Sequence, residues 1–344
     1  MQYVTTRSND RTYTWLHALN DARGEDGGFF IPAVMPEFTP EQIAGLALKN
    51  PNQALAEILN LLFDCELTRW DIDFAVGRYP VRLSTIVRRI AIAESWHNVD
   101  WEFSSTVRDL SCLVRGTKDA GLPIGGWFEI AVRIGILFGT FGEMMRDGLV
   151  HPDKTVDIAV CSGDLRAVMA AWYARQWGLP IGHIIICCNE NNNLWTLVRQ
   201  GELRFGMPVK ETATPECDCS IPGELERLLH ICGGNREVFS FLESQEKGRA
   251  YFPDPMALTE LQRNTYVSVV GQPRMESTIT AIHKNNGYVF GPYSALCYGG
   301  LTDYRSATGN SGYALIISDR GALRDDRLVA RQMGISVNTL HNML

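Results

Sequence analysis

Residues 156–192 read VDIAVCSGDLRAVMAAWYARQWGLPIGHIIICCNENN, and this stretch decides the fold. Val156, Ile158 and Val160 alternate with the period of a strand that ends at Cys161. Ser162-Gly163-Asp164 is a turn, and 165–177 is an apolar helical run stopped by Gly178-Leu179-Pro180. Residues 183–188 form a second, almost wholly apolar strand. Strand, glycine turn, helix and buried strand make a βαβ unit, which predicts an α/β fold with a parallel sheet covered on both faces. Ligands of such sheets sit off the carboxyl ends of the strands, where helix N-termini point free N–H groups at anions. The turn 162–166 is the first candidate for a phosphate or carboxylate site.

The totals suit a folded protein of one or two domains: 344 residues, 45% hydrophobic and 21% charged. A net charge of -7 with no basic stripe excludes a nucleic-acid partner. Lysine is scarce, occurring only at 49, 118, 154, 210, 247 and 284. The nine cysteines contain no C-x-x-C pair, so reduced thiols in a cytosolic protein are expected and no metal site is. MQYVTTRSNDRTYTW has no basic-then-apolar leader pattern, and no run approaches the ~18 apolar residues of a membrane span.

Along the chain, Thr39-Pro40-Glu41 starts a helix with Thr at N-cap and Pro at N1, and 52–63 repeats apolar residues at helical spacing. Residues 1–85 are read as a small, mainly helical subdomain. Residues 100–114 form a helix, and 116–126 a loop carrying Lys118. Residues 127–145 form a buried helix whose Gly135, Gly139 and Gly142 predict close packing. Helices are expected over 223–232, 239–247, 275–285 and 324–333, and a last buried strand over 313–318. Gly291-Pro292-Tyr293 is read as a loop.

These motifs resemble, in order, those of the threonine synthases, fold-type II pyridoxal-phosphate lyases with a tryptophan synthase β-like fold. Tyr3-x-Thr5-x-Arg7 and Asp26-Gly27-Gly28-Phe29-Phe30-Ile31-Pro32 are similar to the family's opening strand and its D-G-G-L-x-x-P signature. Cys161-Ser162-Gly163-Asp164-Leu165 resembles the S-G-N-F-G phosphate loop. Gly178-Leu179-Pro180-Ile181, Asn189-Glu190-Asn191, Thr214-Pro215-x-Cys217-Asp218 and Leu225-Glu226-Arg227-Leu228-Leu229 follow, resembling G-L-P-I, T-N-x-N-D, S-P-A-M-D and the E-R-L-L run. Gly291-Pro292-Tyr293-Ser294-Ala295 resembles D-P-H-T-A.

The departures bear on function. The P-T-x-A-F-K-D block, whose lysine forms the family's Schiff base, has no clear counterpart, nor has the A-T-S-G-D-T-G loop. The resemblance therefore implies a mobile lobe largely deleted around 85–100, a remnant over 86–125, in which 100–114 is similar to G-x-F-D-D-x-Q, and a large α/β domain over 126–344. Lys118, in Thr117-Lys118-Asp119, is the candidate replacement nucleophile, against a solvated loop lysine. The altered phosphate loop is either a helix capped by Asp164 or an anion site of Ser162, Gly163 and Arg166, with Asn189 beside it. Ser318 or Asp319 falls near the expected neighbour of a cofactor ring. Three functions follow: a protein without the Schiff-base lysine that binds a small amino-acid-like or phosphorylated anion; a lyase working through Lys118 and pyridoxal phosphate, or cofactor-free through groups such as Asp164, Glu190 and Asp218; or a regulatory or structural subunit, homodimeric or partnered, built on helix 127–145.

Overall fold

The computed structural model describes residues 1–76, 81–95, 103–118, 126–163 and 165–344. The chain opens with a small antiparallel sheet of β1 (Gln2–Thr5), β2 (Tyr13–Thr14) and β3 (Phe30–Pro32), in the order β2-β1-β3, with α1 (Trp15–Asn20) between the last two. The capping residues at 39–42 act as expected. Thr39 accepts from the Gln42 N–H, Gln42 answers on the Thr39 N–H, and α2 (Pro40–Gly45) begins. After it, α3 (Pro51–Phe63) buries Leu55, Ile58, Leu59 and Leu62, and α4 (Arg69–Val76) follows.

The main sheet begins with the hairpin β4 (Arg82–Val87) and β5 (Ile90–Glu94), turned at Arg88-Arg89 with Arg89 at φ 65°. The boundary expected at residue 85 therefore falls inside a strand, and β5 belongs to the sheet of the large domain. Next come α5 (Phe103–Arg115), α6 (Trp127–Arg146), β6 (Val156–Cys161), α7 (Arg166–Gln176), β7 (Ile181–Cys188) and α8 (Asn193–Gln200). The two helices expected over 223–247 are both present and run on as α9 (Leu225–Glu246) across a kink where Gly234 leaves helical geometry at φ 69°. Then follow α10 (Pro255–Asn264), β8 (Thr265–Val269), α11 (Gln272–Asn286), α12 (Pro292–Thr308), β9 (Tyr313–Ser318), α13 (Asp326–Met333) and α14 (Val337–Met343). The expected loop at 291–293 is the start of α12, with Gly291 at N-cap and Pro292 at N1.

The sheet order is β4-β5-β9-β6-β7-β8, parallel throughout except for the β4–β5 pair. Alternation along the strands divides the core. Ala93, Val160 and Ile186 face the layer of α3, α6 and α7, while Ile92, Ile316, Ala159 and Ile185 face that of α11 to α14. The glycines of α6 are used inside the chain. A Cβ on Gly135 would lie 2.5 Å from Leu55 Cδ1, and one on Gly142 would lie 2.6 Å from the Leu46 carbonyl oxygen. At these two positions the helix is packed against its own chain.

Two motifs 200 residues apart form one joint. Arg7 Nη2 and Nε donate to Glu226 at 2.9 and 3.1 Å, and the Thr6 hydroxyl donates to the same carboxylate. Arg227, fully buried, lies 4.4 Å from the Phe29 ring centre and donates to the Phe30 carbonyl at 3.2 Å. The small sheet is thereby fixed to the start of α9.

Candidate functional site

The carboxyl ends of β5, β9, β6 and β7 converge on one side of the sheet, and alternation sorts their last residues onto its two faces. On the α6 face, Ser95 and Asp319 follow β5 and β9. The Ser95 hydroxyl donates to Asp319 at 2.7 Å, and Arg133 from α6 donates to its other oxygen at 2.6 Å. The same guanidinium forks onto Glu129, one turn back, at 3.0 and 3.3 Å, and Arg166 at the head of α7 pairs with the second Glu129 oxygen. Arg133 also lies 3.9 Å from the centre of the Phe103 ring. The result is a chain of alternating charge, Arg166–Glu129–Arg133–Asp319, around a cavity of about 30 Å³ lined by Ser95, Phe103, Arg133 and Asp319 among apolar side chains.

On the α12 face the strand ends carry soft and hydroxylic groups. Ser318 shares a 2.8 Å hydrogen bond with Ser294. Cys161 lies 3.4 Å, sulfur to sulfur, from Cys297 of α12, and its thiol sits 3.6 Å from the Tyr293 carbonyl. Hydrogen bonds shared with the Cys217 and Cys297 thiols hold Cys161 well below the usual thiol range and push those two partners up.

The candidate phosphate loop is closed by the chain itself. A Cβ on Gly163 would lie 1.9 Å from the Glu216 carbonyl oxygen, so the short helical turn 215–217 rests directly on the glycine. Ser162 is buried, its N–H donated to the Cys187 carbonyl. Beyond it, Asn189 donates to Thr212, Thr214 and Asp218 and accepts from Asn191. Asp218 takes the Thr212 N–H on its second oxygen. These groups brace the 189–193 and 212–218 loops against each other. Glu190 accepts the Gln272 N–H at the start of α11 at 3.0 Å and faces Lys210 at 3.5 Å. Burial alone would raise its carboxyl; that N–H and Lys210 outweigh it and hold it below the usual range. A polar cavity of about 290 Å³ opens here, lined by Glu190, Asn191, Arg204, Lys210 and the first residues of α8.

The expected residues thus separate. Ser318 and Asp319 stand together at the end of β9, with Ser162, Gly163 and Arg166 nearby on β6 and α7. Asn189, Glu190 and Asp218 belong to the neighbouring loop pair. Asp164 lies outside the described residues. Lys118 is exposed beyond the far end of α5, whose 13 residues span about 20 Å from Phe103. It lines neither cavity and is not brought to the strand ends. Sequence reasoning missed Arg133, Glu129, Ser95, Phe103 and the thiols at 161, 217 and 297. An arginine inside an apolar helix with glutamate four residues back was the one available signal.

No protein-family model matches the sequence. The chain is 25% identical over 178 residues to human threonine synthase-like 1, a match covering 49% of this chain and 23% of that protein. It is 34% identical over 122 residues to the threonine synthase of Eremothecium gossypii, covering 36% of this chain and 23% of the relative. The crystal structure of PLP-bound threonine synthase from Brucella melitensis superposes with a TM-score of 0.84 at 17% identity, over 97% of this chain and 92% of that one. The chain is threonine synthase-like. It matches under a quarter of the length of those two sequence relatives. The threonine synthase-like fold carries pyridoxal phosphate in the Brucella structure; the residues at the corresponding strand ends here do not fit an imine-held ring. Among the described residues no lysine lines the cavity beside Asp319, and about 30 Å³ is an order of magnitude below the 300–1,000 Å³ of ordinary ligand pockets. Among the described residues no helix is long and apolar enough to cross a membrane, and no cluster of ligating side chains suits a metal ion.

Proposed function

We propose that this threonine synthase-like protein does no Schiff-base chemistry and binds a small anionic, amino-acid-like ligand in the 290 Å³ cavity at the end of β7. The wall of that cavity carries the reading. It joins Glu190 to Lys210, Arg204 and the start of α8, where Asn192 makes no side-chain cap. Lys210, Arg204 and the first N–H groups of α8 suit a carboxylate or phosphate. Glu190, which lines the same cavity and whose carboxyl the Gln272 N–H and Lys210 hold below the usual range, suits an ammonium.

Calorimetric titration with L-serine, O-phospho-L-serine and inorganic phosphate tests the proposal. Phosphoserine is expected to bind. Lys210→Ala should weaken it about tenfold or more, the worth of a charge-assisted hydrogen bond. Glu190→Gln should weaken serine and phosphoserine while leaving phosphate unchanged. No binding heat with any of the three would overturn the reading. So would an absorbance band of an internal imine after one equivalent of pyridoxal phosphate.

A further inference from the structure

We propose that Cys161 and Cys297 are a redox-active dithiol that closes to a reversible disulfide on reaction with a hydroperoxide. The two residues are 136 apart in sequence, yet β6 and α12 bring their sulfurs to 3.4 Å. A disulfide is about 2.05 Å long, so closure asks each side chain to move by about 0.7 Å. Cys161 keeps partial contact with solvent, whereas Cys297, Cys187 and Cys217 are buried, so Cys161 is the thiol an oxidant reaches first. The Cys161 sulfur shares hydrogen bonds with the Cys217 and Cys297 thiols, which favours its thiolate although Asp319 and Glu216 oppose it. The nearby competitors are poorer nucleophiles. Cys187 is directed to the Ile185 and Cys297 carbonyls, and burial pushes Cys188 up to about 12.

The chemistry balances with a hydroperoxide as the two-electron oxidant. The Cys161 sulfur attacks the terminal peroxide oxygen, the O–O bond breaks, and water or an alcohol leaves, giving a sulfenic acid. The Cys297 sulfur then attacks the sulfenic sulfur. The S–O bond breaks, and the departing hydroxide takes the Cys297 proton and leaves as water. The two thiols have together lost two electrons and two protons.

Peptide mapping of the full chain tests this. Reduced protein is treated with one equivalent of hydrogen peroxide, blocked with N-ethylmaleimide and digested with trypsin without reduction. Residues 155–166 carry Cys161 alone and residues 285–305 carry Cys297 alone. The expected product is these two peptides joined, at their summed mass less two hydrogens, and separated again by dithiothreitol. Free thiols should fall from nine to seven. Cys297→Ala should instead leave Cys161 as a sulfenic acid that dimedone captures. Recovery of 155–166 carrying only the blocking group would overturn the proposal. So would its linkage to 211–227, which holds Cys217 and Cys219. The wild-type map decides even if the variant does not fold.

Discussion

Replacing Arg133 by methionine should show how strongly the charge chain holds the strand ends. The change keeps the apolar stem in its place and removes the fork that binds Asp319 at 2.6 Å and Glu129 at 3.0 Å. Removing one member of a fully buried ion pair costs about 3–5 kcal/mol, because the other charge is left without its partner. Here the stranded groups are part-solvated, Asp319 at 29% and Glu129 at 19% side-chain exposure. Each also keeps a second donor, Ser95 or Arg166. The expected loss is therefore about 2 kcal/mol, or roughly 3 °C in melting temperature for a chain of this size. Thermal unfolding of Arg133→Met, Asp319→Asn and the double variant measures it. The two single losses should exceed the loss in the double, because they share one interaction. Arg133→Lys should recover only part of the stability, since an ammonium cannot serve both carboxylates as a planar fork does. A methionine variant that melts with the wild type, or strictly additive losses, would refute the reasoning.

Gly163→Ala should destabilise by about 3 kcal/mol, because its Cβ would meet backbone atoms of Glu216 and no rotamer change relieves that; an unchanged melting curve would show that the 215–217 turn does not rest on the loop. Glu226→Gln should cost about 2 kcal/mol near neutral pH. Burial alone would raise Glu226, but Arg7, Thr6 and Arg23 outweigh it and hold it low. A folded pKa below the unfolded one gives stability that is present above about pH 4.3 and lost as pH falls through the folded value. The gap between wild type and variant should accordingly close below about pH 4, and a gap constant from pH 3 to pH 7 would contradict this. Lys118→Ala should change neither melting temperature nor phosphoserine affinity, consistent with an exposed lysine at the far end of α5; a loss of either would restore it as a candidate.

The central βαβ unit was legible because periodicity and chain breakers agree there: an alternating strand, a glycine turn and Gly178-Leu179-Pro180 after the helix. Where they disagree, the reading failed. β8 was missed because Thr265 is both the C-cap of α10 and the first residue of the strand, with no turn residue between them. The β4–β5 hairpin was missed because its turn uses two arginines, one at positive φ, where glycine or asparagine is the usual signal. The site was less legible than the fold. Ser318 and Asp319 came from resemblance, and their partners Arg133 and Ser95 lie 186 and 224 residues from Asp319. The three thiols meet through strand register and the path of α12, which a linear pattern does not encode.

The joint between Arg7 and Glu226 also governs when the small sheet can settle. Arg7 leaves the ribosome 219 residues before its carboxylate does. At about 5–20 residues per second, that is a wait of roughly 10–40 s in which the strand pairing of residues 2–32 has no anchor on α9. Such long-range closure is slow for entropic reasons even in the finished chain. During synthesis the Phe29 ring lacks the Arg227 guanidinium that covers it until the segment at 225–229 emerges, so this corner of the small sheet settles last.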